Sequence, residues 1–168
     1  MQLSQALKQL EKQIKNDVQQ AVIKTLEAEV FELVRDIMSH HIQTDVYDVY
    51  SPKIYKRRYT NQGLLDERNI VYDIERGKEL VVWNIAKMNS RNNRNASFSL
   101  EKRKENLLQT IIIDGWSTAT KDSPVWSQPR PFISNANRSL SRGGAHFSDL
   151  DDAFASGLGR FGINKINT

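Results

Sequence analysis

Cysteine is absent from the 168-residue chain, which excludes a disulfide framework and a thiolate metal site and suits a reducing cytosol or a particle assembled there. Proline occurs only four times, and no apolar run approaches the length that spans a membrane. The N-terminal segment has a helical pattern, polar on one face, and lacks the apolar stretch of an export signal. No excess of one charge stands out either. Lys and Arg number 24 against 20 Asp and Glu, a net charge of +4, too mild to point to nucleic acid unless it is clustered. Serine-nucleophile motifs, phosphate-cradling loops and dinucleotide fingerprints are missing as well, since Gly143-Gly144 and the glycines at 157–162 follow no strand and lead no helix. Neither an enzymatic activity nor a cofactor is therefore expected. The hydrophobic fraction, 39%, is low for a compact globule, so part of the burial is expected to come from another molecule.

What is present begins with a long amphipathic helix. Apolar residues fall at Leu3, Leu7, Leu10 and Ile14, then at Val18, Val22, Leu26, Val30, Val34 and Met38, a three-and-four spacing that settles into fours. The first part carries a narrow heptad-like stripe among Gln and Lys and reads as an exposed, partner-binding arm. The second adds Ile23, Phe31, Leu33 and Ile37 and reads as core. A break is expected near Asn16-Asp17 and the helix end near Ser39-His40-His41, with Pro52 excluding regular helix just before it. Two β-like runs, 69–72 and 79–85, flank Glu75-Arg76-Gly77-Lys78, a hairpin turn with glycine where positive φ is needed.

The Asn/Ser/Arg-rich stretch between Ala86 and Ser99 reads as a loop. Leu107, Leu108, Ile111 and Ile112 suggest a helix closing at Asp114-Gly115, with a short buried strand over 110–113 as the alternative. An irregular, Trp- and Pro-bearing connection over 116–131 leads into a helix over 131–140 with proline in its first turn. Beyond Ser141 a Gly-rich tail with a helical turn or two around 149–156 is expected to be mobile or ordered only on a partner. The expected fold is α+β: a long N-terminal helix and a C-terminal helix packed on a small antiparallel sheet, with extended terminal arms. Its divisions are a helical arm 1–20, a core 21–140 and a tail 141–168.

Between Val46 and Ile70 four tyrosines, Tyr47, Tyr50, Tyr55 and Tyr59, alternate with Lys53, Lys56, Arg57 and Arg58. Amphipathic rings and cationic forks are the side chains that hold one protein surface to another, so Tyr47, Tyr50, Tyr55, Arg57, Arg58 and Tyr59 are candidate subunit-interface residues. Trp126, Arg130 and Phe132 join them, because prolines stiffen that loop; the alternative is a lid over the chain's own core. Arg91, Arg94, Lys102 and Arg103 are candidate nucleic-acid contacts, since clustered cations on a loop can meet phosphates without reading sequence. A metal at His40-His41 is disfavoured, because neighbouring helical residues point about 100° apart. Asp73, Glu75 and Lys78 form the nearest thing to a nuclease set and are better read as a solvated hairpin tip.

The order of these features resembles the tail-completion and neck proteins of long-tailed bacteriophages, the small head-to-tail connector subunits. The helix leads through a linker and a Gly-Leu turn into the first strand over Tyr59 to Ile70, and an aromatic stretch ends in Arg130-Pro131-Phe132. The resemblance covers residues 20–140 and implies a structural virion protein, assembled in the host cytoplasm as a homo-oligomeric ring. Its other partners would be connector and tail proteins and, in passing, DNA in the channel, with no membrane. The competing readings are a nucleic-acid-binding accessory protein and a metal-dependent nuclease.

Overall fold

The computed structural model describes residues 2–49, 60–86, 112–113 and 129–164. Its dominant element is one helix that runs from Gln2 to Tyr47 without interruption but not with one geometry. Helix α1 (Gln2–Thr25) passes into a π-helical turn (Leu26–Val30), then α2 (Phe31–His41), then a second π-helical turn (Ile42–Tyr47). The expected break at Asn16-Asp17 is not there, and the helix continues past His41. The second correction has a physical cause, because Ile42 and Val46 extend the apolar stripe beyond the polar Ser39-His40-His41 and are buried.

The two π turns follow from the stripe itself. Ile14, Val18, Val22, Leu26, Val30, Val34, Met38, Ile42 and Val46 recur at every fourth position. Each four-residue step overshoots an α-turn by about 40°, so pure α-helix would wind the stripe around the rod. A π turn, closed by an i→i+5 bond, takes up one more residue per turn. Two of them return the stripe to one side, where Leu26, Val30, Met38, Ile42 and Val46 are all buried.

Strands β1 (Ile70–Glu75) and β2 (Glu79–Asn84) form an antiparallel hairpin with Ile70 opposite Asn84 and Glu75 opposite Glu79. Gly77 has the expected positive φ of 68°, and Arg76 shares it at 54°. Positive φ at both central positions is the pattern of a turn whose twist suits a hairpin. The inner face sets Ile70 and Val82 on the helix side, and Tyr72 lies against Phe31 with ring centroids 4.4 Å apart.

The segment before β1 is a hydrogen-bonded knot. Asp66 caps a 3-10 turn (Glu67–Asn69), and Asn69 Nδ2 donates to the Gly63 carbonyl at 2.8 Å. Asn84, fully buried, donates through Nδ2 to the Leu64 carbonyl at 2.8 Å and accepts from the Ala86 N–H at 2.9 Å. Leu64 is thereby pinned into a core with Met38, Ile42, Val46, Ile70, Ala86, Ile112 and Phe132. Residues 112 and 113 are helical, in line with the helix reading of that segment.

Helix α3 (Phe132–Leu140) packs on α2, and Pro131 occupies its cap position rather than its first turn. A turn with Gly143 at φ 85° reverses the chain. Gly144 lies so close to α3 that an added Cβ would stand 2.2 Å from the Arg138 carbonyl oxygen. Helix α4 (Phe147–Gly159) follows, longer than the turn or two expected, and it docks on the chain's own first π turn rather than awaiting a partner. At that contact an added Cβ on Gly157 would fall 2.4 Å from Thr25 Cγ2. Arg160 forms an ion pair with Glu29, and Lys24 Nζ lies 5.8 Å from the centre of the Phe161 ring.

Candidate assembly surface

The arm of α1 stands clear of the domain. Residues 3–20 are all exposed, and Ala21 is the first buried one. Along it the apolar side chains remain uncovered, from Leu3 at 77% through Leu7, Leu10 and Ile14 to Val18 at 42%. Leaving such a row in water forgoes about 2 kcal/mol per large aliphatic side chain relative to burial. Local helix support is modest: Lys15 Nζ donates to Glu11 at 2.7 Å in the favourable i, i+4 order.

At the foot of the arm the stripe enters a groove of about 360 Å³. Its floor is Ile14, Val18 and Val22, and its far wall is the hairpin tip, Arg76, Gly77 and Lys78. An added Cβ on Gly77 would lie 2.6 Å from Gln19 Nε2, so the tip rests on the helix where the arm begins. A second, smaller apolar exposure lies on the hairpin, where Trp83 and Ile85 are each 37% exposed.

The sequence-predicted interface residues fall into two groups. Tyr50, Tyr55, Arg57, Arg58, Tyr59 and Trp126 lie outside the described residues, as do the candidate nucleic-acid contacts Arg91, Arg94, Lys102 and Arg103. The other three belong to the chain's own core region. Tyr47 ends the second π turn, half-buried, and its hydroxyl accepts from the Leu64 N–H at 3.3 Å. Arg130 directs Nη1 to the Val46 carbonyl at 3.4 Å. Phe132 is fully buried, because as the first residue of α3 it turns into the groove between that helix and α2. Its burial corrects its placement on a subunit surface and matches the alternative reading of a cover over the chain's own core.

His40 and His41 diverge as expected of helical neighbours, with His40 exposed and His41 turned inward. With the proton on Nδ1, His41 donates to Asp45 at 3.2 Å and accepts from the Ser139 hydroxyl at 2.9 Å, while Asn135 Nδ2 donates to the same Asp45 oxygen at 2.8 Å. The Ser–His–Asp connectivity is that of a hydrolase relay. Ser139, however, sits in the last turn of α3, where backbone N–H groups are held by the helix and form no oxyanion cradle. The network ties the second π turn to α3. Among the described residues no group of three His, Asp or Glu side chains is placed to hold a metal ion, and no helix is long and apolar enough to cross a membrane.

Asp66 is the most perturbed ionisable group described. Arg68 grips it through Nε at 2.9 Å and Nη2 at 2.6 Å, and the Gln62 N–H donates at 2.8 Å. The Arg68 guanidinium first, and then the backbone N–H, hold its carboxyl far below the usual carboxylate range.

A family model described as YomN matches residues 6–156, from within the arm through the hairpin and α3 into α4. The chain belongs to the YomN family. That family is phage-derived, of the Bacillus phage SPBeta-like kind. Comparison with curated proteins and with solved structures gives no match. The YomN match spans the exposed arm from residue 6 onward as well as the packed body, so the arm is part of what the family model describes.

Proposed function

We propose that the protein is a structural virion component, a neck or tail-completion subunit that joins copies of itself into a ring at the head-to-tail junction. The observation that carries this reading is the arm, a helix extending well beyond the core with its apolar row exposed. A contiguous exposed apolar surface of this kind marks a protein–protein contact. Membership of a phage-derived family supports placing that contact in a virion. The order of elements, helix, Gly-Leu knot, hairpin and Arg-Pro-Phe helix, supports the connector class by resemblance. In this reading the tyrosines and arginines of the 50–59 linker bridge neighbouring subunits, and the Asn/Arg segment 89–95 faces a neighbour or the DNA channel.

The test combines two measurements. Mass spectrometry of purified phage particles should find the protein at a fixed copy number per virion, and electron microscopy of the purified protein should show rings. A protein absent from particles, monomeric and shifted on DNA in a salt-sensitive manner would instead establish the nucleic-acid-binding accessory reading.

A further inference from the structure

We draw no further inference here: the strongest candidate, the exposed apolar face of the N-terminal arm with the groove at its foot between Ile14, Val18 and the hairpin tip, carries nothing because nothing in the structure shows what covers it.

Discussion

At the scale of single residues, Asp66 is the position where electrostatics most directly holds structure. Its carboxylate organises Gln62, Arg68 and the 3-10 turn that delivers Leu64 to the core. Because its folded-state pKa lies below the unfolded value, its stabilising contribution is complete above the ordinary aspartate pKa of about 4 and is lost as pH falls toward the depressed folded value. Thermal unfolding of the wild type should therefore drop steeply below about pH 4, and Asp66→Asn should be less stable at neutral pH with a shallower acid slope. Parallel acid limbs for the two proteins would deny Asp66 this role. Other single residues were legible in the sequence only as types. Gly157 reads as a helix breaker, yet it sits inside α4 because only a residue without a side chain lets that helix approach Thr25. Thr25 is buried there with a hydroxyl that finds no hydrogen-bond partner among the described residues. Phe132 reads as a loop aromatic until the cap at Pro131 starts a helix that aims it inward.

At the scale of elements, the long helix and the hairpin were legible because periodicity and turn chemistry are local. The π turns were written in the same periodicity, as the stripe in fours, but a four-residue period matches neither template that sequence patterns are usually fitted to. The helix end was misplaced for a related reason, since polar Ser39-His40-His41 interrupts the composition but not the phase. Phase also makes a prediction. Deleting exposed Ala28 from the first π turn leaves steps that regular α-helix satisfies, so the variant should still fold cooperatively, with a melting temperature within a few degrees of the wild type. Deleting exposed Asp36 from α2 rotates everything N-terminal to it by about 100° against the core. That variant should lose its cooperative transition in circular dichroism, and equal behaviour of the two deletions would contradict the phase argument. The candidate interface residues at 50–59 were legible only as chemistry, because composition names residue types and cannot arrange them.

At the scale of the whole molecule, the proposed assembly gives the low apolar content and the exposed arm one cause, burial completed between chains. The kind of contact decides how assembly responds to salt. A contact made through the exposed leucines and isoleucine of the arm is indifferent to screening, whereas pairs made by Arg57 and Arg58 weaken as the Debye length shrinks from about 10 Å at 0.1 M to about 3 Å at 1 M salt. The mass measured by light scattering should persist through that range. Dissociation at high salt would move the principal contact from the arm to the linker arginines.

The seat of α4 on the first π turn has a mechanical meaning. The arm of α1 begins about one and a half turns further on, at Gln19, where the hairpin tip rests on the helix, and Leu3 lies roughly 24 Å from Gln19 along the axis. A tilt of 10° at that point would sweep the tip through about 4 Å. The hairpin tip at Gln19 and the clamp of Gly157, Thr25 and the Arg160–Glu29 pair therefore hold the rod at two points, which fixes the direction in which the arm leaves the body.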